Sequence, residues 1–301
     1  MMTFSKKWLV ILALSLAVSN VVSAQVKKRV AVLTFEDKTD KRYRWWDGRQ
    51  PGDGMADMLT TALVKSGNYQ VLEREEIGKL LAEQQLGQTG VVTEQSAAQV
   101  GQMLGVELAI MGSVTEFGNT QQETGGKIKG FRIGLKTQTA TVAVDVRVVN
   151  ATTGDILAAE TVRKEESSSG VDFNSDKYGF KNETDFDNSL VGKATRNAIN
   201  RIVELIGEQS EQLPWTGKIL TVKGNAIFIK PGSDAGLKIG DFLSVYSQGE
   251  ALIDPDTGIS LGSIESKIGT IEITGFVAGG KAAQAVARSG GGFATGNLVR
   301  L

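Results

Sequence analysis

The chain has 301 residues, with 33 Lys and Arg against 34 Asp and Glu, 36 Gly, 4 Pro, and neither cysteine nor histidine. Without those two side chains the sequence excludes a thiolate nucleophile, a disulfide, an Fe–S cluster, a Cys/His zinc site and a Ser-His-Asp triad, leaving carboxylates, lysines, tyrosines or an oxygen-ligated cation for any catalysis. The length predicts about two domains, and a formal charge of -1 argues against nucleic acid, whose phosphates need a basic surface.

Lys6 and Lys7 precede an apolar run from Trp8 to Val18, and the small residues Val22-Ser23-Ala24 follow. This order of basic, apolar and small residues predicts a cleaved secretory signal over residues 1–24. The run is shorter than the ~20 apolar residues a spanning helix needs, and no other stretch is long enough. Cleavage leaves a mature chain with a charge of about -3. No cysteine stands after the cleavage site, so a conventional lipid anchor is not expected. A cysteine-free exported chain fits the bacterial periplasm better than a disulfide-stapled secreted domain.

Beyond the signal, Arg29 to Phe35 is an apolar run short enough for a buried strand. A polar and aromatic loop, 37–52, precedes a helix in which Met55, Met58, Leu59, Ala62 and Leu63 share one face. Asp53 is expected to cap that helix and Gly67 to end it. A short strand at Tyr69–Leu72 leads into helices around Ile77–Leu81 and Thr93–Leu104, then a strand at Val106–Met111. The order predicts an α/β layer with helices packed on a mixed sheet.

Long strands follow. In Phe131–Val149 the apolar positions change phase: Phe131, Ile133 and Leu135 occupy one face and Ala140, Val142, Val144, Val146 and Val148 the other. A bulge or a change of environment would explain the switch. Asn150 to Gly154 reads as a turn into a strand ending near Val162. A long helix, Asn188–Glu208, carries Val191, Ala194, Ala198, Ile202 and Leu205 in one stripe. After Pro214 the chain becomes Gly-rich with short strands, predicting a separate small all-β domain, barrel- or sandwich-like, over residues 213–301.

Several of these segments form an ordered series: Val30–Phe35, Met55–Leu63, Val71-Leu-Glu-Arg74, Ile77-x-x-Leu80-Leu81-x-Glu83-Gln84, Met111-Gly-Ser-Val114 and Val146–Asp155. Together they resemble the curli secretion channel family, the CsgG/HfaB-like proteins, over about residues 28–206. The last ninety residues are similar to the C-terminal domain of a flagellar assembly protein of the periplasmic H-ring. That likeness rests on Gly236–Asp241, Val245-Tyr246 and Asp254-Pro-Asp-Thr-Gly258 with Leu261-Gly262.

The resemblance implies a non-enzymatic envelope protein that closes into a homo-oligomeric ring. It implies an exported α/β domain over 25–212 that lends two β-hairpins to a shared outer-membrane barrel. By position these would lie at about Thr115–Val149 and Leu157–Phe186. A loop narrowing the pore would be Arg42-Tyr43-Arg44-Trp45-Trp46. The candidate lipid-facing positions are Phe131, Ile133 and Leu135 in the first hairpin and Val171, Phe173, Tyr178 and Phe180 in the second. Envelope or secreted proteins are the expected partners, and no cofactor or metal is expected.

The residues themselves leave alternatives open. A lipid-facing strand needs about 9–11 residues with an apolar side chain at every second position. The segment Asn119–Thr124 offers none, and Asn174–Lys177 and Lys164–Ser167 are polar. The other reading is therefore a soluble periplasmic scaffold without a pore. Tyr43, Trp45 and Trp46 would line a constriction, stack on a partner, or fold back onto the core. The string Asp254–Gly258 reads as a turn more readily than as a cation site. The carboxylates Asp37 and Asp40, and Glu73 with Glu75 and Glu76, suit a loop and a helix N-terminus better than acid–base chemistry. Gly125-Gly-Lys127 and Gly279-Gly-Lys281 lack the frame of a phosphate-binding loop.

Overall fold

The computed structural model describes residues 26–39, 48–72, 105–128, 131–170, 182–253, 255 and 260–301. The expected helices within 73–104 and the loop residues Tyr43, Trp45 and Trp46 lie outside these, as do Val171, Phe173, Tyr178 and Phe180.

The first unit is a five-stranded mixed sheet in the order β2-β1-β3-β4-β5, built from β1 (Lys28–Asp37), β2 (Tyr69–Leu72), β3 (Leu108–Ile128), β4 (Phe131–Asn150) and β5 (Ile156–Gly170). β1 runs parallel to both its neighbours, whereas β3, β4 and β5 form an antiparallel meander. The helices α1 (Pro51–Ser66), α2 (Glu183–Asn188) and α3 (Leu190–Gln212) complete the described part of this unit.

The expected period-two faces are realised. Val30 and Val32 of β1, Ile110 of β3 and Val142, Val144 and Val146 of β4 share a core with Met55, Leu59 and Leu63 of α1 and Ala198, Ile202 and Ile206 of α3. Ala31, Leu33, Ala109, Met111 and Val149 bury on the opposite face. The alternating positions of β1 are thus buried on both sides, which a continuous apolar run requires.

Two helix starts differ in detail from the sequence expectation. α1 opens at Pro51, with Gln50 at the N-cap and no side-chain cap bond, so Asp53 stands in the first turn instead of capping. Proline at the first helical position has its φ already set and no N–H to satisfy, so the helix begins three residues earlier. Gly67 ends α1 as expected, in a left-handed conformation with φ 73°. The second start lies in the proposed second hairpin, which cannot run to Phe186. The Asn182 side chain accepts a bond from the Asp185 N–H at 2.9 Å and nucleates α2, and Phe186 is wholly buried. Ser189 then caps α3 by accepting from Gly192 N at 3.0 Å.

β4 carries no bulge across the phase change expected inside Phe131–Val149, so of the two expected causes the bulge falls and the apolar positions themselves change face along a regular strand. β4 pairs with β3 continuously from Phe131↔Ile128 to Asn150↔Leu108, and the one register shift falls between Val114 and Glu116 of β3. The extra residue, Thr115, is a β-bulge that brings both Val114 and Phe117 onto the helix-covered face. β4 alternates without interruption, so its odd positions from 131 to 149 occupy one face throughout.

The second unit is a closed six-stranded barrel, in the order β10-β7-β6-β11-β8-β9. Its strands are β6 (Gly217–Lys223), β7 (Ala226–Lys230), β8 (Phe242–Ile253), β9 (Ser260–Val277), β10 (Ala282–Gly290) and β11 (Leu298–Arg300). All neighbours are antiparallel. Its own core contains Trp215, Ile219, Ile229, Leu243, Val245, Ile271, Ile273 and Val299. Closure removes the free edges that short strands would otherwise leave unpaired. β10 is marked in the sequence only by a weak, Ala-rich alternation, and residues 291–297 lead from it to β11.

Candidate functional site

Two places in the fold are candidates for function. The first is the outer half of the meander. Among the described side chains the last buried positions along the meander are Phe117 of β3 and Gln138 of β4, whereas the paired backbone continues to Ile128 and Phe131. Beyond Gln138 that is seven residues, ~23 Å at about 3.3 Å per residue, less than the ~30 Å apolar thickness of a bilayer. β5 keeps pairing with β4 as far as Gly170↔Lys136.

Register places Phe131, Ile133 and Leu135 on one face at the far end, with Ile128, Gly126 and Thr124 opposite them. Further in, the same face of β4 carries Thr137, Thr139 and Thr141. Thr137 and Ser169 hydroxyls meet at 3.4 Å, and Thr139 and Ser167 hydroxyls at 3.0 Å. Below them Arg163 of β5 donates from Nε to Glu116 at 3.0 Å and also pairs with Glu165, which together hold its pKa above the ordinary value. The face therefore changes from apolar positions at the tip to a hydroxyl ladder and then to charges. On the other face Arg201 of α3 clamps Glu160 of β5 at 2.7 Å, and Asn197 donates to Glu166 at 2.7 Å.

The second candidate is a cleft of about 460 Å³ between the two units. Arg29 of β1, Glu107 just before β3 and Thr152 of the β4–β5 turn form one side. Lys218, Lys230 and Arg300 of the barrel, with Gln248 and Glu265 of the β8–β9 hairpin, form the other. The Asn150–Gly154 turn is tied by Asn150 Oδ1, which accepts from Thr152 N at 2.9 Å. The units are joined beside the cleft: Lys27 N donates to Ala235 O at 2.6 Å, and Gln70 Nε2 to Asp234 Oδ2 at 3.0 Å. Val26 packs against the barrel core.

Glu107 is the chemical centre of this cleft. Its Oε2 accepts from the backbone N–H of Arg29 at 2.7 Å, while the Arg29 guanidinium donates to Gly105 O at 2.9 Å. Gly105 adopts φ 65°, a left-handed conformation that glycine takes without strain, and a Cβ there would stand 2.9 Å from Arg29 Nη1. Burial pushes the Glu107 carboxyl up to about 7, against the lowering effect of the Arg29 and Thr216 N–H groups and of the Arg29 charge. Burial lowers Lys230, and the neighbouring charges of Arg29 and Lys218 lower it further. Glu107 is not recognisable from sequence, because a single acid beside a strand has no spacing partner to announce it.

Among the described residues neither place brings a nucleophile and a base together. Asp37 spends Oδ1 on the Thr39 N–H and hydroxyl at 2.9 and 2.7 Å, while Asp40 and Glu73 to Glu76 lie outside the described residues. Gly125-Gly-Lys127 is strand backbone within β3, and Gly279-Gly-Lys281 turns the chain from β9 into β10. No helix among the described residues is long and apolar enough to cross a membrane.

A mixed sheet covered by helices, with a long antiparallel meander and an appended barrel, defines a class of α/β proteins with extended hairpins. The chain belongs to the family described as curli production assembly/transport component CsgG, whose model matches residues 12–222. That span covers the first unit and ends as the barrel begins. Among solved structures, the chain is similar to a hypothetical protein, CT253, from Chlamydia trachomatis, at 17% identity over 60% of this chain and 95% of that one, with a TM-score of 0.39. It is also similar to the lipoprotein GNA1162 from Neisseria meningitidis, at 14% identity over 62% and 99%, TM-score 0.34. A third is the PelC dodecamer from Paraburkholderia phytofirmans, at 12% identity over 60% and 87%, TM-score 0.32. No curated relative matches the chain.

Proposed function

We propose that this chain is a non-enzymatic component of the bacterial envelope that forms a homo-oligomeric ring and takes part in assembling or secreting an extracellular or cell-surface polymer. The observation that carries the reading is the family match over residues 12–222, which spans the whole sheet and its hairpin extension. The paired β3–β4 extension, which runs on to Ile128 and Phe131, supplies the strands that would enter a membrane in this reading. In this reading Phe131, Ile133 and Leu135 face lipid, the hydroxyl ladder faces water, and Tyr43, Trp45 and Trp46 narrow the passage. Export to the periplasm and association with the outer membrane belong to the same reading.

A soluble periplasmic scaffold, accessory to flagellar or cell-wall machinery, is the second reading. It is favoured by the polar face of β4 and β5, where Thr137, Thr139, Ser167 and Ser169 follow one another with no apolar side chain between them. Fractionation followed by electron microscopy of the purified mature protein, with and without detergent, separates the two. Rings in detergent extracted from the membrane fraction are expected. A protein found wholly as a monomer in the periplasmic pool would reject both the ring and the pore.

A further inference from the structure

The cleft between the units holds two lysines with which no described carboxylate pairs. Lys218 and Lys230 are direct partners in the β6–β7 ladder, so two ammonium groups stand opposite each other. Like charges in that position destabilise a strand pair. Among the described residues neither lysine makes an ion pair, and both line the cleft. Arg29 is held by a neutral carbonyl, that of Gly105, and Glu107 takes up its backbone N–H instead of its guanidinium. Nearby, Arg300 pairs with Glu265 at 2.6 Å and stacks 5.1 Å over the Tyr246 ring, yet its Nε is buried without an acceptor.

Three cations thus converge on a concave space large enough for a monosaccharide-sized ligand, in the kind of position between units where small-molecule sites commonly lie. Glu107 and Asp234 attract the Arg29 guanidinium without bonding to it, and neither acts on Lys230. A bound oxyanion would remove the repulsion between Lys218 and Lys230 and give the Arg29 guanidinium a charged acceptor. Such charge-assisted bonds are shorter and about twice as strong as neutral ones.

We propose that this cleft is a binding site for an oxyanion-bearing small ligand, its phosphate or carboxylate group held by Arg29, Lys218 and Lys230. The site is independent of whether the hairpins enter a membrane. Gln248 and Glu265 of the β8–β9 hairpin stand at the rim, where they meet the uncharged, hydroxyl-bearing part of such a ligand. Glu265, already engaged by Arg300, repels a second anion there and limits the site to one charged group.

Calorimetry on the full mature chain at constant ionic strength tests this with two probes, inorganic phosphate and glucuronate, against chloride. Saturable binding of at least one probe is expected, with the preferred probe identifying phosphate or carboxylate as the source. Lys218→Gln and Lys230→Gln should each weaken binding about tenfold or more. Neither should lower the melting temperature without ligand, since each removes one of two opposed charges. Absence of saturable binding by either probe would overturn the proposal. So would binding that both lysine variants retain unchanged, because the anion would then sit elsewhere.

Discussion

Replacing Glu107 with Gln isolates one titration that the fold imposes on itself. The carboxyl is raised from 4.5 to about 7 because burial disfavours its charge more than the Arg29 and Thr216 N–H groups favour it. Between those values the folded chain keeps a proton that the unfolded chain has released. Stability from this group is therefore present near pH 5 and is lost as pH rises through 7, the reverse of a salt-bridged acid. A shift of that size corresponds to about 3 kcal/mol between the two protonation states. Glu107 retains some solvent exposure, so about 2 kcal/mol is the expected loss between pH 5 and pH 8. The variant keeps an oxygen able to accept from Arg29 N–H but does not titrate. Urea unfolding of both proteins across this range should show the wild type falling relative to Glu107→Gln, with the variant the more stable at pH 8. Parallel profiles for the two proteins would refute the assignment of a buried, reluctantly ionised carboxyl at this position.

Phe186 of α2 is fully buried in the helix-covered core, so Phe186→Ala should cost about 3–5 kcal/mol by denaturant unfolding. At Gly192 a Cβ would stand 1.9 Å from Phe186 O, so Gly192→Ala forces α3 away from α2 and should cost about 1–3 kcal/mol in the same measurement. If the tip of the meander enters lipid, Ile133→Lys places a charge there at a cost of about 2–4 kcal/mol and should move protein from the membrane to the soluble fraction. Replacing Trp45 and Trp46 together with Ala should alter conductance in planar bilayers; unchanged conductance would remove them from the constriction.

Sequence reasoning succeeded where one physical cause dominates a segment. The β4 alternation and the α3 stripe of Val191, Ala194, Ala198, Ile202 and Leu205 follow directly from burial on one face, and the structure buries each of them. It failed where no local pattern marks a feature. The bulge at Thr115 lies in β3 between ordinary strand residues, and only the register with β4 reveals it. The start of α1 was misplaced because a proline was weighed less than an aspartate. The cleft was invisible for a stronger reason. Arg29, Glu107, Lys218 and Lys230 are distant in sequence and meet only when the barrel docks beside β1. Lys218 and Lys230 become opposite neighbours only through the β6–β7 register.

The extra residue at Thr115 has a consequence for how the long hairpin can vary. Inward of it, even-numbered positions of β3 meet the helices; outward of it, odd-numbered positions do. The inner and outer segments of the strand are therefore written in opposite parity, with Thr115 as the joint between them. Residues can be added or removed in cross-strand pairs at the tip without altering the inner parity that the helices read. Deleting Thr115 alone would instead turn every outer side chain of β3 through the sheet, exchanging its two faces while leaving the composition of the hairpin otherwise unchanged.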